Sequence, residues 1–255
     1  NLPISSDIDP AETDDDHPQK QFGVVTFTGN GSSRTISGLG FQPDLIWSKR
    51  RSGTGKRHYL VDSNRGFTKF LHSDQAVSEG TSSDGVTSAT SDGFAIGGSL
   101  DYINENTSTY VAWCWRANGG TTATNTSGTI TTTVQANQNA GFSILTYTGT
   151  GSAGTIAHGV GATPHWVLVK NRSTGDRQWY NQHIGNSSAS KGQALNLDGA
   201  EQTLSAVFGD TRTSSTVFTV GDNNSINDSG DNYIAYIFAP IKGYSKFGSY
   251  TGNSN

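Results

Sequence analysis

This chain of 255 residues has no methionine and a single cysteine, Cys114. One thiol excludes an internal disulfide framework, so stability has to come from packing. Charged residues are scarce, at 15%, while 10% are aromatic. Disorder needs high charge and low hydrophobicity, so most of the chain is expected to fold. No apolar run approaches the roughly 18–20 residues of a membrane-spanning helix. No basic start followed by an apolar core reads as a secretory leader. With no Met even at position 1, the chain is expected to start inside a longer one or after a cleavage. Helical periodicity is also missing; FLHSDQAVSEG (70–80) is expected to form one short helical turn or two.

What the chain has instead is glycine (32 residues), serine, threonine and asparagine, interleaved with β-branched and aromatic residues. That mixture predicts many short strands and tight turns. Charge is unevenly placed. Of the 21 acids and 17 bases, Asp7, Asp9, Glu12, Asp14, Asp15, Asp16 and Lys20 lie in residues 1–20. The remaining 15 acids face 16 bases, so the body is nearly neutral. A neutral body argues against a nucleic-acid partner. Residues 1–20, with Pro3, Pro10 and Pro18, read as an acidic, extended linker.

Self-similarity organises the rest. FGVVTFTGNGS (22–32) recurs as FSILTYTGTGS (142–152), with Phe22, Thr26, Thr28, Gly29, Gly31 and Ser32 repeated at an offset of 120. GLGFQPDLIWSKRRS (38–52) recurs as GVGATPHWVLVKNRS (159–173), with Gly38, Gly40, Pro43, Lys49, Arg51 and Ser52 repeated. SDGFAIGG is answered by SSTVFTVGD through Phe94 and Phe218. INENTSTYVAWCWRA (103–117) is answered by INDSGDNYIAYIFAP (226–240), each with an Ile-Asn pair and a Tyr seven residues after the Ile. FGSYTGN (247–253) matches the opening strand a third time. We therefore place one domain at 21–118 and a second at 129–255, with 119–128 as a flexible Gly/Thr/Asn-rich joint and 245–255 resembling the start of a third copy.

The expected fold class is all-β: two tandem, internally repeated antiparallel β-sandwiches, jelly-roll-like or concanavalin-like. In YVAWCW, Tyr110, Ala112 and Cys114 alternate with Val111, Trp113 and Trp115, so the strand is apolar on both faces and needs a cover on each. One cover is the sandwich core; the other is a helix, a loop, or a neighbouring domain or subunit. Trp113 is expected to be buried, with Tyr236 at the matching place.

The series FGVVTFTGNGS, GFQPDLIWSKRRS, HYLVDSNRG, SDGFAIGG and YVAWCWRANGG resembles a repeated domain of tailed-phage structural proteins, common in phages of marine bacteria including cyanobacteria. The lead-in DPAETDDDHPQKQF and the second-copy motifs resemble it too. The second copy departs where Trp113-Cys114-Trp115 becomes Tyr236-Ile237-Phe238. The resemblance implies a non-enzymatic virion component on a tail, tail fibre or particle surface. Its partners would be other virion subunits, as a homo-oligomer, and a host-surface glycan; neither a cofactor nor membrane insertion is expected. A free extracellular lectin-like module and a polysaccharide depolymerase are the alternatives.

Candidate chemistry is thin. His17, His58, His72, His158, His165 and His183 lack metal-ligand spacing. GDNNSINDSGD (221–231) offers Asp222, Asp228 and Asp231 to calcium, but lacks the DxDxDG order and distal Glu; an Asx-rich turn is the plainer reading. Lys49, Arg50, Arg51, Lys56 and Arg57, beside Trp47, form a basic cluster that reads as a solvated hairpin or an anion site. Asp44 with Asp62, or Asp62 with Glu79, can be posed as an acid pair for glycoside hydrolysis. Trp179, Tyr180 and His183 are the candidate glycan contacts, by stacking and hydrogen bonding. Trp47, Trp113, Trp115 and Trp166 read as core.

Overall fold

The computed structural model describes residues 17–53, 55–211, 213–250 and 253. Residues 1–16, which hold most of the acidic linker, lie outside the described residues. So does part of the expected third opening strand, at 251, 252, 254 and 255.

The protein is all-β. In chain order the strands are β1 (Phe22–Thr28), β2 (Arg34–Ser37), β3 (Leu45–Arg50), β4 (His58–Asp62), β5 (Lys69–Phe70), β6 (Gly80–Thr81), β7 (Val86–Thr90), β8 (Gly93–Ile96), β9 (Thr109–Trp115), β10 (Ala123–Asn125), β11 (Thr132–Asn137), β12 (Phe142–Thr148), β13 (Gly154–Ala157), β14 (Trp166–Asn171), β15 (Trp179–His183), β16 (Lys191–Ala194), β17 (Gln202–Thr203), β18 (Val217–Val220) and β19 (Asn232–Phe238). Two single-turn helices, α1 (Ser205–Phe208) and α2 (Asn224–Asn227), fall late in the chain, and Pro18–Lys20 form a 3-10 turn. The short helix expected within 70–80 does not form; Leu71 instead bridges to Leu60 and extends the sheet edge.

The first half builds a sheet in the order β1-β9-β3-β4 and a second sheet β2-β8-β7. The second half places β12-β19-β14-β15 inside an eight-stranded sheet and pairs β13 with β18. The registers agree rung by rung. Phe22 pairs with Trp115 and Thr28 with Thr109; Phe142 pairs with Phe238 and Thr148 with Asn232. Trp47 pairs with Trp113 as Leu168 pairs with Tyr236. Tyr236 thus occupies the place of Trp113.

Strand alternation sends one face of each principal sheet inward. Ile46, Tyr59, Val61, Ala112 and Cys114 pack against Ile36, Val86, Phe94 and Ile96 of the opposing sheet. Leu145, Val167, Val169, Ala235 and Ile237 pack against Ile156, Phe218 and Val220, with α1 and α2 adding Val207, Phe208 and Ile226. The outer faces of the two principal sheets meet each other. Leu45, Leu60 and Leu71 from the first half join Phe142, Ile144, Leu168, Ile234 and Tyr236 from the second. The second cover of the two-faced strands is therefore the other half of the same chain. This cover is incomplete over the first half: Trp113 is half-buried and Val24 is 49% exposed, whereas Tyr236 is 1% exposed. Trp47, Trp115 and Trp166, expected in the core, are also only partly buried.

The recurring Ile-Asn pair and Tyr have a common task. Asn104 accepts from the Asn30 amide (3.1 Å) and donates to the Ser32 and Gly98 carbonyls. Asn227 accepts from the Thr150 amide (2.8 Å) and donates to Ser152 and Gly221. The Tyr110 hydroxyl accepts from Glu105 N and donates to Asp101 O; the Tyr233 hydroxyl accepts from Asp228 N and donates to Asn224 O. Each set ties the turn after an opening strand to the loop before a closing strand, and so satisfies backbone groups that the turn would otherwise bury unpaired. Gly29 and Gly149 are required by the same contact, because a Cβ would lie 2.2 Å from the Glu105 carbonyl oxygen and 2.1 Å from that of Asp228.

The segment expected to be a flexible joint is held in place. The buried Asp44 carboxylate accepts from the amides of Ala117, Gly119 and Gly120 at 2.7–2.9 Å and from Ser63 Oγ. Beyond it β10 pairs with β11, which pairs with β12 and so extends the second half's sheet.

Candidate functional site

Alternation along β15 separates the residues expected to bind sugar. Trp179, Asn181 and His183 point to the outer face, and Tyr180 and Gln182 to the inner core. Trp179 is 0% exposed; its ring lies parallel to Tyr236 and its Nε1 donates to the His72 carbonyl at 2.7 Å. It cannot stack on a ligand in this fold. Tyr180 packs against the second-half core. Of the three, His183 alone lines a cleft. Sequence reasoning exposed the wrong tryptophan, because the adjacent Trp179-Tyr180 pair between polar loops carries no sign that another half will cover it.

That cleft, about 610 Å³, lies at the β15–β17 end of the eight-stranded sheet. Trp166 and Phe247 form its aromatic wall, and Tyr250 is 95% exposed at its rim. Trp166 Nε1 donates to Asn181 Oδ1 at 3.3 Å. Glu201 accepts from Ser187 Oγ (2.6 Å), Ser187 N (2.9 Å) and Asn186 Nδ2 (2.8 Å). These hydrogen bonds hold its carboxyl below the usual range. Burial, with His165 nearby, lowers the His183 pKa. Leu195 and Leu197 leave apolar surface beside it, at 37% and 50% exposure.

The posed acid pairs are spent on structure. Asp62 and Arg65 have fully buried side chains, with Arg65 Nε 2.6 Å from Asp62 Oδ2. Arg65 Nη1 reaches Glu79 Oε2 at 2.8 Å, and Arg172 from the second half grips both Glu79 oxygens at 2.8 and 2.9 Å. The Tyr236 hydroxyl donates to Asp62 at 2.7 Å. Burial and this carboxylate push the tyrosine's pKa well up. The result is a charged network across the two halves, and Asp44 is likewise occupied by amides. The basic cluster is partly neutralised: Lys56 pairs with Asp101 at 2.6 Å and Arg50 with Glu105. In the oxygen-rich loop, Asp231 accepts from Asn171 and Thr174. Among the described residues no cluster of three or more His, Cys, Asp or Glu could hold a metal ion, and no helix is long and apolar enough to cross a membrane.

These features define an all-β protein with a polar, aromatic-walled cleft and a buried charged seam. Residues 17–255 match the family described as Domain of unknown function (DUF7483), and the chain belongs to that family. No curated protein and no solved structure matches it.

Proposed function

We propose that this chain is a non-catalytic structural protein of a tailed-phage particle, built of two tandem β-sandwich units that serve assembly. The carrying observation is the seam between the halves, where the outer faces join through apolar packing and the Asp62-Arg65-Glu79-Arg172 network. The shared glycines, Asn104/Asn227 and Tyr110/Tyr233 set turns and clamps, while the seam combines residues that differ, such as Arg65, Leu60 and Leu71, with shared ones such as Phe142 and Arg172. The phage setting rests on the motif resemblance. Mass spectrometry and immunogold labelling of purified particles test it: the chain should be present in many copies on a tail, fibre or capsid surface. Finding it only free in the medium refutes the virion reading and favours a lectin-like module.

A second reading is adhesion to host glycan at the cleft, supported by Trp166 and the exposed Tyr250. Oligosaccharide release from host envelope that disappears in Asp198→Asn or Glu201→Gln would instead make the cleft a depolymerase site.

A further inference from the structure

We infer that copies of this chain associate head to tail, the cleft end of one second half seating on the exposed outer face of another chain's first half. The inference rests on the tandem-unit, assembly reading and names its surfaces. The seam inside the chain is the template. There, the β4–β6 end of the first half covers the outer face of the second half. It contributes Leu60, Leu71, Arg65 and Glu79. The face it covers presents Ile144, Leu168 and Tyr236, which are 0–1% exposed, with Arg172 at its edge.

Register identifies the counterparts of both surfaces. On the face, Ile144, Leu168, Tyr236 and Arg172 correspond to Val24, Trp47, Trp113 and Arg51. All four are exposed or half-buried, and the Arg51 amide bonds to Thr109 O as the Arg172 amide bonds to Asn232 O. On the end, the β16–β17 rungs match the β5–β6 rungs, so Glu201 corresponds to Glu79 and Asn186 to Arg65. Asn186 donates to Glu201 at 2.8 Å as Arg65 donates to Glu79 at 2.8 Å. One end and one face are therefore fully used inside the chain; the other face is covered only along its β3–β4 side, where Leu45 and Trp47 meet the seam, and the other end carries Asn181 and Gln193 in the places of Leu60 and Leu71. The open end is the cleft.

The two open surfaces are different, so the contact is heterologous and each added copy exposes a new free end. Its central ion pair would be Arg51 of one copy with Glu201 of the next, repeating Arg172 with Glu79. The occupant is a second copy because the seam shows the counterpart of this end seated on the counterpart of this face, with an arginine and a glutamate at matching positions.

Sedimentation velocity of the full chain over rising concentration tests this. Mass should climb beyond the dimer. Arg51→Glu and Glu201→Arg should each weaken association by more than roughly ten-fold. Mixing the two single variants should restore growth beyond the dimer, because each variant's end then fits the other's face, by the native pair at one contact and the swapped pair at the next; a two-fold symmetric interface would stop at a one-to-one dimer. Because Glu201 also pins residues 186 and 187, Val24→Asp serves as a second disrupting variant that removes no hydrogen bond. A chain that stays monomeric overturns the inference, as does cleft binding of a host oligosaccharide with no self-association. If association persists unchanged in all three variants, this interface is wrong while the assembly reading stands on the particle data.

Discussion

Replacing Arg65 by Met removes the centre of the buried seam while retaining much of the side chain's volume. Its guanidinium bonds Asp62 (2.6 Å), Glu79 (2.8 Å) and the Leu60 carbonyl (3.2 Å), and both Arg65 and Asp62 side chains are 0% exposed. Asp62 would keep the Tyr236 hydroxyl and the residue-65 amide but lose its counter-charge. An uncompensated buried charge of this kind costs about 3–5 kcal/mol. Arg172→Met is the control. Arg172 and Glu79 are each 14% exposed, and Glu79 would keep Arg65; the cost should be about 1–2 kcal/mol. Asp62→Asn added to Arg65→Met removes the stranded charge and should recover part of the loss. Equilibrium urea unfolding followed by tryptophan fluorescence gives these differences, provided the m-value is unchanged. A loss below about 1 kcal/mol for Arg65→Met, or no recovery with Asp62→Asn, would show that the charges are not sequestered as described.

The amide clamps offer a matched pair: Asn104→Ala and Asn227→Ala should each cost about 1–3 kcal/mol, measured by urea unfolding, because they strand buried turn amides and carbonyls. His158 is buried, with its pKa lowered to about 4. The unfolded chain then binds the proton first, so stability falls as pH drops from about 6.5 to about 4, by roughly 3 kcal/mol; His158→Gln should flatten that limb of a pH-dependent melting series. Lys170 is also buried, its pKa lowered to about 8 by burial with Arg177 adding. Stability should therefore rise from about pH 8 to about 10.5, by roughly 3 kcal/mol, and Lys170→Met should remove the rise.

The fold was legible where residues act on their near neighbours. Alternation in YVAWCW and YIAYIF assigned the strand faces correctly, and the spacing from Ile103 to Tyr110 recurs because one clamp is built twice. The seam was not legible. Nothing in HYLVDSNRG marks Asp62 and Arg65 as partners of Tyr236 and Glu79, since the pairing depends on how two halves are set against each other. The same missing information reversed the tryptophans: Trp179 is sealed by the first half, while Trp113 keeps one side open. The partners of the posed acid pairs were equally hidden, because these carboxylates bind amides and guanidinium groups, some of them distant along the chain.

The matching ladders also have a kinetic consequence. β1 and β12 are seven-residue strands that present interchangeable hydrogen-bonding edges to β9 and β19. Their partners lie more than eighty positions away, so closure is slow and a crossed pairing has time to form. One position discriminates. Gly23 occupies the place of Ser143, and a Cβ there would lie 2.8 Å from Leu39 Cδ2 and 3.1 Å from Phe41 Cε1. β12 entering the first half would force both side chains to move, so a missing side chain helps sort two nearly identical strands into their own sheets.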